Sequence, residues 1–162
     1  LAKAKAQGVE PLLLLLDELQ DPQNVGALIR TADAAGVHGV LLPQRRSCPL
    51  YAVVAKISAG AVEYVPVIKI GNISQTLQEL KKQGFWVVGA DMDGEPYYQA
   101  KLTGPLVVVI GAEGKGLGRL VKENCDMIVS LPMAGRVNSL NASAAGAVLL
   151  YEVVKQRSTQ QG

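Results

Sequence analysis

The residue types that most often carry chemistry are scarce in this chain, which has one histidine and two cysteines. His38 lies in the run GVHGV, directly before an apolar stretch, and reads as structural. Cys48 and Cys125 are far apart and form no CxxC, a pattern that fits two free thiols in a reducing compartment better than a disulfide scaffold. The set is too small for a zinc site built from protein ligands. It also lacks the parts of a Ser-His-Asp triad or a Cys-His pair, unless His38 serves. What remains is three stretches of polar side chains and glycines: DPQNVGALIRTA from Asp21 to Ala32, VVVIGAEGKGLGRL from Val107 to Leu120, and LPMAGRVNSLNASAAGAVLLY from Leu131 to Tyr151. Each follows an apolar strand-like run, and open α/β sheets bind their ligands at that edge. Such groups align a substrate through hydrogen bonds and main chain. A bland alternative exists for the third stretch, in which Asn138 or Ser139 merely caps the helix that follows.

The elements that must carry these stretches can be read in order. Leu12 to Leu16 is a continuous apolar run, as expected of a central strand covered on both faces. Asp21-Pro22 places a proline near the first helical position. Val25, Leu28, Ile29, Ala32 and Ala35 then recur at helical spacing until Gly36 stops the helix. Val40 to Leu42 predicts a second strand, Pro43 to Pro49 a polar, basic surface loop, and Leu50 to Ser58 a helix. Tyr64 to Ile70 predicts a third strand, and a helix capped by Asn72 or Ser74 runs to Gln83 and ends at Gly84. Phe85 to Ala90 is the fourth strand, and the following ADMDGEP reads as turn. Leu106 to Ile110 is the fifth strand, Leu117 to Asn124 a short helix, Met127 to Leu131 the sixth strand. A final helix extends from about Leu140 to Arg157. Its beginning, Ala142 to Ala147, is built of small residues that allow another backbone to approach closely. Alternating strands and helices imply an α/β fold, a mostly parallel sheet flanked by helices.

Bulk properties agree. At 162 residues, 49% hydrophobic and 19% charged, the chain fits one domain with a substantial core. A net charge of +2 permits an anionic partner without demanding one. Basic residues bunch at Arg45 and Arg46, at Lys81 and Lys82, and at Lys115, Arg119 and Lys122, each bunch reading as a solvated face when taken singly. One Phe and one Trp leave little room for aromatic stacking as the main recognition device. No apolar run of membrane-spanning length and no cleavable leader pattern occurs, so the expected location is the cytoplasm. Leu1 to Pro11, with alternating lysine and alanine, reads as the remnant of a linker, residues 12 to 157 as the functional domain, and residues 158 to 162 as a tail. The glycines at 111, 114, 116 and 118 match neither G-x-G-x-x-G nor the phosphate-loop pattern, which disfavours a dinucleotide-dependent oxidoreductase.

Taken together the three stretches resemble the three motifs of the SpoU (TrmH-type) branch of the SPOUT RNA 2′-O-ribose methyltransferases. Asp21-Pro22, Asn24, Gly26 and Arg30 match the first motif. Ile110-Gly111, Glu113-Gly114 and Gly116 match the second. Leu131-Pro132-Met133, Gly135, Ser139-Leu140-Asn141 and Ser143 match the third. The similarity extends over about Leu12 to Gln156, with Ala142 standing where relatives often have valine. Within the family the chain most resembles the bacterial enzymes that methylate a guanosine of 23S rRNA, which generally carry a small N-terminal RNA-binding domain before a linker. The resemblance implies a C-terminal deep trefoil knot, a homodimer, an RNA substrate (rRNA ahead of tRNA) and S-adenosyl-L-methionine as methyl donor, with no metal and no membrane partner.

Carried over by position, the resemblance implies cofactor contacts at Gly111, Glu113, Gly114, Leu131, Met133, Ser139, Leu140 and Asn141. The implied catalytic set is Arg30, Asn24, Glu113, Ser139 and Asn141. The chemistry is in-line attack of a ribose 2′-oxygen on a sulfonium methyl group, for which the enzyme supplies alignment and removal of the hydroxyl proton. Arg30 either takes that proton or clamps a phosphate bidentately while another group takes it, since a guanidinium normally stays protonated. Asn24 and Asn141 would orient the ribose or the loops, Ser139 would hold phosphate or cap the last helix, and Glu113 would fix Arg30 or the knot backbone. The competing readings are a tRNA 2′-O-methyltransferase and a non-catalytic RNA-binding module that kept the fold.

Overall fold

The computed structural model describes residues 1–45, 49, 65–112, 116–137 and 139–161. The apolar run near the start forms β1 (Leu12–Asp17), in which all six residues are buried. Leu12, Leu14 and Leu16 join one hydrophobic cluster, whereas Leu13 and Leu15 join another. That alternation places β1 in the middle of the molecule with a layer on each side.

From β1 the chain enters α2 (Pro22–Ala35), where the Asp21 side chain accepts from the Gln23 N–H and Gly36 closes the helix in the left-handed conformation at φ 79°. Next come β2 (Gly39–Pro43), β3 (Val67–Ile70) and α3 (Ile73–Lys82), the last capped by Asn72. They are followed by β4 (Trp86–Pro96), a 3-10 turn (Tyr97–Gln99) and β5 (Leu106–Gly111). The chain ends with α4 (Arg119–Glu123), β6 (Met127–Ser130) and α5 (Ala142–Gln161). The described strands form one six-stranded sheet in the order β3-β2-β1-β5-β4-β6, and the pairings are parallel. On one face Val25, Leu28, Ile29 and Ala32 of α2 pack with Leu149, Leu150 and Val153 of α5. On the other, Leu77 of α3 and Val121 of α4 cover Leu13, Leu15, Val107 and Val109. The expected parallel sheet flanked by helices is therefore the observed architecture.

Several expectations need correction. The stretch ADMDGEP is not a turn: β4 runs through it, pairing with β6 both before and after an irregularity between Ala90 and Glu95. Its Asp-Gly and Pro look like turn signals, but Ser130 Oγ donates to the Gly94 carbonyl at 2.8 Å and ties the segment to β6. Residues read as linker include α1 (Ala2–Gln7), closed by Gly8, with Ala4 buried. The small residues of α5 admit a side chain where a neighbouring backbone was expected. A Cβ at Gly146 would collide with Leu28 of α2. The helix predicted over Leu50 to Ser58, the bases and thiol at Arg46 and Cys48, and Tyr64 lie outside the described residues.

His38 is structural, as expected. Its Nδ1 accepts from the Leu12 N–H at 3.0 Å, which leaves the proton on Nε2 to be donated to Gln7 Oε1 at 3.3 Å. Burial, then the positive charges of Arg157 and the amino terminus, push its pKa below the ordinary value. Cys125 is a free thiol whose pKa burial pushes up to about 12, which makes it inert. At the far end of α5, Arg157 donates to the Glu10 carbonyl at 2.7 Å, the Gly104 carbonyl at 2.8 Å and the Pro11 carbonyl at 3.3 Å. Beside it Gln156 accepts from the Leu102 N–H and donates to the Ala100 carbonyl. Among the described residues no helix is long and apolar enough to cross a membrane, and no group of three or more His, Cys, Asp or Glu could hold a metal ion.

Candidate functional site

At the carboxyl edge of the sheet, beyond the ends of β4, β5 and β6, a cavity of about 130 Å³ opens to solvent. One wall comes from the middle of β4 (Ala90, Asp91, Met92), beside its irregularity, and a second from β5 and the residues after it (Ile110, Gly111, Ala112, Gly116). The third wall is the connection from β6 into α5, with Leu131, Met133, Ser139, Leu140, Ala142 and Ala145. The site thus stands where a doubly wound sheet offers its strand ends to a ligand.

The β5 wall is shaped by chain folded close on itself. Ala112 and Gly116 pair as an antiparallel bridge, and the Gly116 N–H donates to the Ala112 carbonyl at 3.1 Å. A Cβ at Gly111 would run into the Gly116 backbone, and Gly116 itself has φ +65°. Glycine at 111 therefore lets the chain meet itself.

Just past this wall the chain is held by two carboxylates. Asp17, at the end of β1 and 5% exposed, accepts from the Gly118 N–H at 3.0 Å. Burial raises its pKa, the Gly118 N–H opposes the rise, and Glu18 adds to it. Asp91, in β4, accepts from the Leu117 N–H at 3.2 Å and, through its other oxygen, from the Met92 N–H at 2.6 Å. Asp91 is the one charged side chain among the described residues lining the cavity. Lys122 lies 3.7 Å from it and 2.6 Å from Asp93. The bond to Lys122 holds the Asp93 carboxyl below its usual range and the Lys122 ammonium above its own.

Of the residues expected to contact a cofactor, Gly111, Leu131, Met133, Ser139 and Leu140 line the cavity together. Asn141 sits beside them in a different role. Its Oδ1 accepts from the Ala144 N–H at 2.8 Å and from the Ser143 hydroxyl at 2.9 Å. It is therefore the N-cap of α5, a place expected for Asn138 or Ser139. Ser139 is left facing the cavity. Asn24, half-buried in the first turn of α2, and Arg30, exposed two turns further along, are not among the lining residues. Glu113 and Gly114 lie outside the described residues. Sequence reasoning missed Asp91 and Met92, since the segment holding them was read as turn. It also missed Ala142 and Ala145 as cavity wall. Their signal was the run of small residues, there assigned wholly to packing.

Comparison with known proteins gives the following. The SpoU rRNA Methylase family matches residues 11–151. A protein of Bacillus subtilis named putative TrmH family tRNA/rRNA methyltransferase YacO is 50% identical over 156 residues, covering 96% of this chain and 63% of that protein. The 23S rRNA (guanosine-2′-O-)-methyltransferase RlmB of Vibrio parahaemolyticus is 50% identical over 153 residues, covering 94% of this chain and 62% of the relative. The chain thus spans somewhat under two thirds of the curated relatives it matches. Among solved structures, the SpoU methyltransferase AviRb of Streptomyces viridochromogenes in complex with AdoMet superposes with a TM-score of 0.84 at 31% identity, over 93% of this chain and 62% of that one.

Proposed function

Because the chain belongs to the SpoU rRNA methylase family, we propose that its cavity binds S-adenosyl-L-methionine and that it transfers the methyl group to a ribose 2′-hydroxyl of RNA, a guanosine of 23S rRNA first. The observation that carries this reading is the convergence of Gly111, Leu131, Met133, Ser139 and Leu140 on one cavity at the strand ends. Its walls are mostly apolar side chains, small residues and main chain, with Asp91 and Ser139 as the polar groups, suited to a flat base and a sulfonium-bearing side chain. The donor's part is an electrophilic methyl group on a sulfonium.

In the transfer the 2′-oxygen forms a bond to the methyl carbon as the carbon–sulfur bond breaks, its electron pair staying on sulfur. The hydroxyl proton must leave at the same time. Arg30 keeps its own proton and clamps a substrate phosphate, and that phosphate or water accepts the hydroxyl proton. Asn24 orients the ribose from the first turn of α2. Ser139 offers its hydroxyl to the donor from the cavity wall, and Asn141 acts by fixing the start of α5 under Leu140. Glu113 and Gly114 complete the donor's surroundings, with Glu113 steadying Arg30.

Residues 12–157 constitute the methyltransferase domain, residues 1–11 the connection into it, and residues 158–162 the tail, although α5 continues past the expected end at Arg157 to Gln161. The C-terminal segment forms the trefoil knot of the family. Supporting this, β6 lies at the sheet edge beyond β4, while α5 packs back on α2 and β5. The segment joining them lines the same cavity as the chain after β5. Two copies associate, in keeping with exposed apolar side chains such as Met92, Val137 and Leu140.

Calorimetric titration with S-adenosyl-L-methionine and with NADH, followed by mapping of 2′-O-methyl groups in rRNA and tRNA after incubation with the full-length protein, tests the reading. Donor binding and a new methyl group on a 23S guanosine are expected. Binding of neither small molecule would leave a non-catalytic RNA-binding module, and a methyl group on tRNA alone would move the substrate.

A further inference from the structure

The two aspartates near the cavity come from different strands but act on adjacent peptide groups. Asp17 closes β1 and Asp91 lies in β4, and these strands flank β5 on either side. Their carboxylates accept from the consecutive N–H groups of Gly118 and Leu117, at 3.0 and 3.2 Å. The chain leaving β5 is therefore gripped from both neighbours at the point where it passes the cavity. Asp91 lines the cavity itself, as does Gly116. A Cβ at Gly116 would come within 2.8 Å of Asp91 Oδ2. Gly116 in turn is bridged to Ala112, which shares the wall.

We infer that Asp91 is a positioning residue for the methyl donor, acting with Asp17 as a clamp that fixes the segment from Gly116 to Gly118 and, through it, the β5 wall of the cavity. The clamp rests on the donor-binding reading above. Asp17 is the buried half of the clamp, and Asp91 is the partly exposed half that lines the cavity. Its Oδ2 accepts from Leu117 while Oδ1 accepts from Met92, so an amide that turns its oxygen to Leu117 keeps the bond to the clamped segment and gives up the local one to Met92. Asp93, exposed and paired with Lys122, is outside the clamp.

The test compares Asp91→Ala, Asp91→Asn and Asp93→Asn in the full-length protein. The readouts are titration with S-adenosyl-L-methionine and with S-adenosylhomocysteine, steady-state methyl transfer, and hydrogen exchange at the Leu117 and Gly118 amides. Asp91→Ala is expected to weaken both small molecules about tenfold, the scale of one hydrogen bond to a charged acceptor. The loss should appear in KM for the donor far more than in kcat, with faster exchange at Leu117. Asp91→Asn should recover most of the affinity, and Asp93→Asn should match the parent. Parent-like affinity and exchange in Asp91→Ala would overturn the clamp. Equal losses in KM and kcat, or an asparagine variant no better than alanine, would also count against it. If the parent protein binds neither molecule, the donor reading fails instead, and exchange at Leu117 still decides whether the clamp exists.

Discussion

Two helices pack on the same face of the sheet, and they are specified in different ways. α2 carries its instructions locally: Asp21 caps it, Pro22 opens it, apolar residues recur at helical spacing, and Gly36 ends it in the left-handed conformation. α5 does not. It begins at Asn141, two to three residues later than its polar residues suggested, and its first turns are small because each side meets something different. Ala142 and Ala145 face the cavity, and Gly146 faces Leu28 of α2. A helix that only packs can be read from periodicity. A helix that packs and walls a site is shaped by contacts the local sequence does not display.

Substitutions on each helix can break this contrast. The largest effect is expected from Arg30→Ala in α2, which should lower methyl transfer about 100-fold or more while calorimetric donor affinity stays within a few-fold. Retained transfer would remove Arg30 from the chemistry. Next is Gly146→Val in α5, where the added methyl groups meet Leu28. It should destabilise by about 1–3 kcal/mol as overpacking, read as a lower urea midpoint, and weaken donor binding in the same protein. The paired cap deletions Asp21→Ala and Asn141→Ala should each cost about 1 kcal/mol of stability. Only Asn141→Ala should also weaken donor binding. Equal effects on binding would mean that the two helix starts are equivalent and the contrast is false.

The smallest effect concerns pH. His38 has a lowered pKa when folded, so below about pH 6.5 the unfolded chain binds the extra proton first. The stability the neutral ring contributes is present above that range and is lost as pH falls through it. Urea midpoints measured at pH 7 and pH 5 should diverge more for the parent than for His38→Gln.

The strands and most helix ends were legible because apolar runs and caps are local properties, and the meeting of residues around Gly111, Leu131 and Leu140 was implied by the resemblance of the three motifs to the family. What escaped was held by distant partners. Asp91 and Leu117 are 26 residues apart, Asp17 and Gly118 are 101 apart, and no short pattern joins them. The continuation of β4 through Asp93, Gly94 and Pro96 was hidden for a related reason. Turn-forming residues there are overruled by pairing with β6, which lies more than a turn's reach away.

The guanidinium of Arg157 bears on how the protein can be handled. By reaching back to the carbonyls of Glu10, Pro11 and Gly104, it buckles the last helix to the point where the chain enters the sheet. An affinity tag appended after the final residue leaves the buckle fastened, and so does trimming back to Ser158. Trimming one further turn undoes it, and the strand entrance and the helix then come loose together.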